Sequence, residues 1–246
     1  MPDESIGSLR RLVREQRLRV IPVVTDERQL RLAGLVKRSS LLEVSSTRTE
    51  ARAKDLMSPP RIALSPSYSV RSALKEMLRL DEWYAPVVDN GLRYLGVFGL
   101  EDAIRYIVGN YEKELLVPLA EVMQRDIVYV EPDTPVPRVW QLMRRHGFAA
   151  LPVVKNGVIV GVVAEHDLII HGYTRPDFEA DSYRKGPLVQ EVMSTPPITL
   201  HEESTLLDAA RLILKRDIGR VYVVDDNKRL VGVIDRSDVV SYWLKH

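Results

Sequence analysis

Apolar and polar positions recur along this chain with a period of about 65 residues. Each copy contains a short apolar run, at residues 21–24, 85–88, 151–154 and 221–224, and a glycine follows each run. Six residues after that glycine, the last three copies have Asp102, Asp167 and Asp238, whereas the first copy has Ser40. In those three copies a methionine also stands 29 residues before the Pro or Tyr of the run. Such a period predicts one supersecondary unit used four times.

The fourth copy predicts the order of elements within the unit. Residues 198–200 form a β-branched run typical of a strand, and Thr205 with Asp208 has the spacing of a capping box that begins a helix. Residues 220–224 and 230–234 predict a hairpin, and residues 235–243 predict a closing helix. We therefore expect an α+β fold of four strand–helix–strand–strand–helix units. Units should pair and bury their sheets, because a lone unit is marginally stable.

The predicted first helix of every unit has the same apolar positions. Residues 16, 13 and 9 positions before the Pro or Tyr of the run are apolar in all four copies, which is helical spacing. We interpret these positions as core and not as a cofactor-binding stripe. They are Ile6, Leu9 and Val13; Val70, Ala73 and Met77; Val136, Val139 and Met143; and Leu206, Ala209 and Ile213.

Composition narrows the classes of function. The 246 residues carry a formal net charge of +1, which does not favour nucleic acid or a membrane as partner. There is no cysteine, which excludes disulfides and thiol chemistry, and no histidine cluster has metal-ligand spacing. No signal peptide or membrane-spanning run is evident, so we expect a cytoplasmic protein. We expect His166, beside Asp167, to be exposed, and a catalytic site is poorly supported.

The repeated unit resembles the CBS motif, named after cystathionine β-synthase. The resemblance rests on the methionine lead-in, the Pro-Val-Val run and the stretch from glycine to aspartate, all in register. Four motifs in one chain are similar to the γ subunit of AMP-activated protein kinase and to stand-alone archaeal relatives. The resemblance implies two Bateman modules packed as a disc. They would comprise residues 1–112, with motifs at about 1–45 and 53–110, and residues 113–246, with motifs at about 119–172 and 188–246. Connectors are expected at 43–54, 108–118 and 171–188.

The resemblance also implies ligands and ligand-binding residues. The clefts of the family bind adenosine nucleotides, here AMP, ADP or ATP, with S-adenosylmethionine as an alternative, and no cofactor is implied. The aspartates would bind ribose hydroxyls, with Arg220 binding phosphate in the Asp167 cleft and Arg19 doing so in the Asp102 cleft. The complete set of expected nucleotide-binding residues is Asp102, Asp167, Asp238, Arg220, Arg19, and the opening-strand residues Ile127, Val128 and Thr199.

Several positions depart from the family pattern. The Ser or Thr expected three residues before the aspartate is replaced by Lys37, Gly99, Ala164 and Asp235. The aspartates could instead stabilise helix dipoles, and the two arginines could be ordinary surface residues. The first copy also begins too late to contain a lead-in. We therefore expect an empty ribose position at Ser40 and an exposed sheet edge that a second copy or another chain covers.

Taken together, the sequence predicts a non-enzymatic regulatory protein that senses an adenosine nucleotide and signals to a regulated protein partner. A homodimer is compatible with the exposed edge, whereas membrane and nucleic-acid partners are not favoured. The alternative is a structural subunit with vestigial clefts that binds a protein or nucleic acid. An enzyme is the third alternative.

Overall fold

The computed structural model describes residues 1–42, 44, 50–171 and 187–246. Most of the connectors predicted at 43–54 and 171–188 lie outside these residues. The predicted connector at 108–118 instead contains the end of a helix and a short 3₁₀ turn at Glu112–Leu115.

All four repeats place a helix before a hairpin and a second helix after it. Repeat 1 comprises α1 (Ile6–Gln16), β1 (Val20–Val24), β2 (Leu32–Lys37) and α2 (Arg38–Leu42). Repeat 2 comprises α3 (Ala53–Leu56), α4 (Val70–Arg79), β3 (Tyr84–Val88), β4 (Tyr94–Gly99) and α5 (Leu100–Asn110). Repeat 3 comprises α6 (Leu119–Val122), α7 (Val136–His146), β5 (Ala150–Lys155), β6 (Val158–Ala164) and α8 (Glu165–Ile170). Repeat 4 comprises a 3₁₀ turn (Val189–Glu191), β7 (Thr199–His201), α9 (Leu206–Arg216), β8 (Arg220–Val224), β9 (Leu230–Asp235) and α10 (Arg236–Lys245).

The predicted helix signals are confirmed. Thr205 Oγ1 accepts a hydrogen bond from the Asp208 N–H at 3.2 Å, and Asp208 Oδ2 accepts one from the Thr205 N–H at 2.9 Å, which completes the capping box. Of the twelve predicted core positions, eleven are buried, and Val70 is half-buried. The apolar spacing therefore reports the face on which each first helix packs.

The predicted opening strand forms as a strand only in repeat 4, among the described residues. There β7 pairs in parallel with β8, whereas repeats 2 and 3 each have a single parallel bridge, Leu64 to Val87 and Val130 to Val153. The predicted strand at Ile127 and Val128 is therefore wrong.

Prolines explain this difference between the repeats. Next to the Val130 bridge, a longer parallel ladder would need N–H groups from residues 132 and 152, and both residues are proline. Repeat 2 has Pro66 and Pro86 at the same two positions. Repeat 4 has Glu202 and Tyr222 there, and the Glu202 N–H donates to the Val224 carbonyl at 3.1 Å. The ladder therefore extends only where both donors are present.

Each repeat contacts one neighbour through its hairpin and another through its helices. The first two hairpins are joined by backbone hydrogen bonds from Leu32 to Leu92 and from Tyr94 to Leu30, and the last two by one from Leu230 to Gly157. In contrast, α1 and α2 pack on α8, and α5 packs on α9 and α10. The two large buried apolar clusters accordingly consist mainly of repeats 1 and 3 in one case and of repeats 2 and 4 in the other, and each also includes lead-in residues from another repeat. No single sheet spans the four repeats in the described parts of the chain.

The lead-in segments cross from one repeat to another. Ser58 of repeat 2 bridges Leu35 of repeat 1, Ser194 of repeat 4 bridges Val162 of repeat 3, and Gln124 of repeat 3 bridges Val233 of repeat 4. The empty ribose position at Ser40 stays a prediction, and the lead-in that bridges Leu35 of repeat 1 comes from repeat 2. Among the described residues, no lead-in bridges the hairpin of repeat 2.

Candidate functional site

A cavity of about 800 Å³ lies where the four repeats meet, and residues of every repeat line it. Its volume is within the range of small-molecule sites in proteins. Six basic and six acidic side chains line it, together with His146 and His166. The charged residues are Arg17, Arg19, Lys37, Arg38, Arg216 and Arg220, and Asp81, Glu82, Glu165, Asp167, Asp217 and Asp235.

Two of the cations are already paired within the cavity wall. Arg19 Nη1 lies 2.9 Å from Asp217 Oδ1, and Lys37 Nζ lies 2.9 Å from Glu82 Oε2. A ligand anion would have to compete with these carboxylates. Arg19 and Lys37 are consequently poor candidates for the main contacts with an anionic ligand.

Arg38 and Arg220 differ from these pairs, because neither forms a salt bridge within the described ranges. Arg38 donates to the backbone carbonyls of Leu18 and Arg17, with Nη2 to oxygen distances of 2.9 and 2.8 Å. The guanidinium carbon of Arg220 lies 5.1 Å from the centre of the Phe148 ring, and its Nη1 donates to a backbone carbonyl at 3.3 Å. Both cations are thus held by neutral groups and keep donors for an anion.

Glu165 is the first residue of α8, and the charges of both arginines act on its carboxyl group. Burial raises the pKa of Glu165 to about 7, and the charges of Arg38 and Arg220 oppose that rise. The carboxyl therefore changes charge near neutral pH, so the net charge of this part of the cavity depends on pH.

The three aspartates that occupy the same position in repeats 2, 3 and 4 share one structural role. In each, Oδ2 accepts a hydrogen bond from the backbone N–H three residues earlier, at 2.9 Å for Asp102, 2.7 Å for Asp167 and 2.8 Å for Asp238. Each carboxylate lies in the first turn of the helix that it caps. This capping alone accounts for one oxygen of each aspartate, so only the other oxygen can distinguish a ligand-binding residue.

The second oxygen has a different partner in each repeat. That of Asp102 pairs with Arg105 at 2.9 Å, and Asp102 lies outside the cavity lining. That of Asp167 accepts from Ser194 Oγ at 3.1 Å, and Asp167 lies in the cavity wall. Burial raises the pKa of Asp167. Of these two, only Asp167 offers a ligand an oxygen held by an exchangeable neutral hydroxyl.

Asp238 has a second acidic group beside it. Its Oδ1 accepts from Gln124 Nε2 at 2.8 Å, and Asp235 accepts from the Asp238 N–H. Burial and then the Asp235 charge raise the pKa of Asp238 to about 6. The acidic groups of Asp235 and Asp238 therefore disfavour an anionic ligand at this position.

The other predicted site residues are spread more widely. Arg19 lies in the cavity but binds Asp217, and Asp102, its expected partner in a cleft, is not in the lining. Thr199 lies in β7, and its neighbour Ile198 is the residue that lines the cavity. Ile127 and Val128 are half-buried and do not line it. Of the predicted site residues, only Asp167, Arg220 and Arg19 line the same cavity.

His166 is half-buried in the cavity wall, so the prediction that it is exposed is wrong. Its Nδ1 is buried and has no hydrogen-bond partner in the part of the chain that the structure describes. Burial lowers the pKa of His166, which favours the neutral ring. An unsatisfied buried nitrogen is uncommon in proteins, and among the described residues of the cavity wall only His166 has one.

A buried arginine network adjoins the cavity and was not foreseen from the sequence. Arg236 is 1% exposed, and its Nη1 donates to Tyr84 Oη at 2.7 Å and to Glu101 Oε2 at 2.9 Å. Its Nη2 donates to Asp217 Oδ1 at 3.3 Å, the carboxylate that Arg19 also binds. The network links repeats 1, 2 and 4 and fixes this side of the cavity.

A sequence signal for the unforeseen residues exists in the repeat register. Arg38, Leu100, Glu165 and Arg236 occupy one column, the first residue of each closing helix. Three of the four are charged, and two of these, Arg38 and Glu165, line the cavity. An ionisable group in that column could have marked the cavity.

Comparison with known proteins decides the family. The model of the CBS domain matches residues 1–47, 53–109, 119–172 and 189–245. The chain belongs to the CBS family. Its CBS repeats therefore confirm both the resemblance and the α+β class. Among the described residues, no helix has the length and apolarity needed to cross a membrane, and no His, Cys, Asp and Glu group could hold a metal.

Similar CBS proteins occur in archaea. Protein MJ1225 of Methanocaldococcus jannaschii is 25% identical over 197 residues, which cover 77% of this chain and 69% of that protein. Protein MK0525 of Methanopyrus kandleri is 28% identical over 51% of this chain and 62% of its own length. The match to inosine-5'-monophosphate dehydrogenase of Thermoplasma acidophilum, at 30% identity, covers 49% of this chain and only 22% of the enzyme.

Solved structures support the CBS fold over the whole chain. The crystal structure of MJ1225 has a TM-score of 0.85 at 22% identity and covers 98% of this chain and 94% of that one. An uncharacterised conserved protein of Pyrococcus horikoshii has a TM-score of 0.65 at 24% identity, with coverage of 91% and 90%. At these identities the likeness concerns the fold.

Proposed function

We propose that this CBS protein is a non-enzymatic regulator that binds an adenosine nucleotide in the central cavity and signals its presence to a protein partner. The observation that carries the proposal is the pair Arg38 and Arg220, two cavity cations that form no salt bridge among the described residues and that line the same cavity as Asp167. Phosphate suits such planar donors. A nucleotide phosphate is favoured over S-adenosylmethionine, because a sulfonium cation gains nothing from two arginines. That MJ1225 is described as a candidate archaeal homologue of γ-AMPK agrees with this choice.

The proposed contacts follow from which groups remain available. The second oxygen of Asp167 accepts the ribose hydroxyls in place of Ser194 Oγ, and charge-assisted bonds of this kind are strong. Arg220 and Arg38 bind the phosphate. The adenine packs against Pro197 and Ile198, which line the same cavity.

The proposed modules are residues 1–112 and 113–246. Their support is the backbone hydrogen bonding of the first hairpin to the second and of the third to the fourth. A nucleotide held by Arg38 of repeat 1 and by Arg220 and Asp167 of the other module would bridge them. Ligand binding would then favour one relative arrangement of the modules, and the partner would recognise that arrangement.

Calorimetry with AMP and adenosine on matched variants tests the proposal. Asp167→Ala should weaken AMP and adenosine alike, by about 10- to 100-fold, the equivalent of one hydrogen bond to a charged group. Arg220→Ala should weaken AMP similarly but leave adenosine unchanged. Asp102→Ala is the control, since Asp102 caps its helix in the same way but lies outside the cavity. Wild-type AMP binding by both the Asp167 and Arg220 variants would show that the site is misplaced.

A second candidate function is a structural subunit whose clefts no longer bind nucleotide. It is favoured by the internal pairing of the cavity, in which Arg19 binds Asp217, Lys37 binds Glu82 and acidic and basic residues are equal in number. Thermal unfolding separates the two. A nucleotide present at 100 times its Kd should stabilise the protein by about 2.7 kcal/mol, whereas vestigial clefts would give no shift with AMP, ADP or ATP.

A further inference from the structure

Three of the four hairpins are covered by a methionine from another repeat. A Cβ added to Gly34 would lie 3.2 Å from Met57 Cγ, and one added to Gly161 would lie 2.6 Å from Met193 Sδ. Gly232 meets Met123 in the same way. The glycine makes room for the methionine, and this close approach is the physical reason for a glycine in that column.

The residue after each methionine completes the contact through its backbone. Ser58 and Leu35 exchange two hydrogen bonds, of 2.9 and 3.0 Å, and Ser194 and Val162 exchange two, of 3.1 and 2.8 Å. Gln124 and Val233 do the same. Each lead-in is thus a methionine followed by one residue that forms a β-bridge through its backbone and carries a polar side chain.

The fourth hairpin lacks this cover. A Cβ on Gly96 would meet nothing within 4 Å, and no lead-in bridge to Val97 occurs in the described parts of the chain. Val97 stands opposite Pro86, so its own N–H and C=O point away from β3, as those of Leu35 do toward Ser58. Phe98 is half-buried, whereas the residues two positions after the other three glycines, Val36, Val163 and Ile234, are all 0% exposed.

In repeats 3 and 4, the aspartate near the covered hairpin indicates which type of residue follows the methionine of a lead-in. Ser194 Oγ and Gln124 Nε2, which directly follow Met193 and Met123, donate to Asp167 and Asp238 at 3.1 and 2.8 Å. At the uncovered hairpin, the corresponding Asp102 caps its helix through one oxygen, and the other oxygen pairs, among the described residues, with Arg105 of the same helix.

We propose that the uncovered edge of β4 around Gly96, the β4 groove, binds an extended segment of another protein in which methionine is followed by serine or glutamine. The methionine would cover Gly96 and Phe98, and the next residue would bridge Val97 and donate to Asp102. A second copy of this chain is not the occupant, because its three methionine lead-ins are already used internally. Binding is by addition to a sheet edge and is independent of the nucleotide proposal.

Fluorescence anisotropy with a labelled peptide of residues 189–198, the chain's own fourth lead-in, tests the proposal on the full-length protein. The wild type should bind it, and Gly96→Leu, which fills the groove, should weaken binding at least tenfold. Gly109→Leu is the matched control, because Gly109 also has nothing within 4 Å but lies on α5. A peptide in which serine replaces the methionine should bind at least tenfold more weakly.

Fusing the peptide to the protein tests whether a failure to bind in the anisotropy assay is due only to weak affinity. The same peptide joined to the N-terminus by a flexible linker of about 20 residues is presented at millimolar effective concentration. Its methionine should raise the thermal midpoint of the wild type but not of Gly96→Leu. Equal binding by Gly96→Leu, or no shift in the fusion, would overturn the proposal, as would Gly96-dependent self-association without peptide binding.

Discussion

Replacing Arg236 should be the most damaging single change among the charged residues of the described structure. The side chain is 1% exposed and donates to Tyr84, Glu101 and Asp217. Arg236→Met keeps the aliphatic volume but leaves Glu101, which is 23% exposed, and the Tyr84 hydroxyl without their cation. The Asp217 contact counts for little, because that carboxylate is 50% exposed and keeps Arg19.

Removing one partner of a buried ion pair costs about 3–5 kcal/mol. For a chain of this size, each kcal/mol lowers the thermal midpoint by about 2–4 °C, so Arg236→Met should lower it by about 6–20 °C. Urea denaturation followed by circular dichroism gives the free energy directly. Arg236→Lys should be intermediate, since one ammonium cannot reproduce the guanidinium fork.

The double variant Arg236→Met, Glu101→Gln decides the mechanism. If an uncompensated buried charge causes the loss, removing Glu101 as well should restore at least 1 kcal/mol relative to Arg236→Met. A cost below 1 kcal/mol for Arg236→Met, or additive losses in the double variant, would refute the reasoning.

Three further predictions concern packing, pH and strand length. Gly161→Ala should cost about 1–3 kcal/mol in urea denaturation because of the Met193 contact, whereas Gly96→Ala should be within about 0.5 kcal/mol of wild type; equal costs would contradict the uncovered groove. Because burial raises the pKa of Glu165 from 4.5 to about 7, the folded state retains a proton that the unfolded state has lost between these values. Stability should therefore fall as pH rises through that window, by at most about 3 kcal/mol, and a wild-type slope in Glu165→Gln would count against this assignment. Glu202→Pro should remove the last pairing of β7, His201 with Val224, seen as faster amide exchange around His201, and unchanged protection would disprove the proline explanation.

The sequence predicts well whatever depends on one repeat. The apolar columns of the first helices, the capping box at Thr205 and the hairpin of β8 and β9 follow from local spacing, because the same periodicity is repeated four times. The wrong strand at Ile127 is also a local matter. Its signal was the proline at residues 132 and 152, which removes the donors that a ladder requires.

The cavity depends on contacts between repeats and could not be read from one. Arg38 comes from repeat 1, Glu165 from repeat 3 and Arg220 from repeat 4, and only the packing of helices and hairpins brings them together. The three aspartates look equivalent along the chain. Their second oxygens are not equivalent, because each faces a lead-in, or the lack of one, from a different repeat.

The crossing lead-ins make the two halves of the chain unequal. In residues 113–246 the exchange is mutual, since repeat 3 gives Gln124 to repeat 4 and receives Ser194 from it. In the described part of residues 1–112 it runs one way, from Ser58 to Leu35. In the C-terminal half, each repeat therefore supplies a lead-in to the other repeat and receives one from it. In the N-terminal half, one of the two hairpins receives no lead-in from the described residues. Truncations and module swaps in this protein will therefore not be interchangeable between its halves.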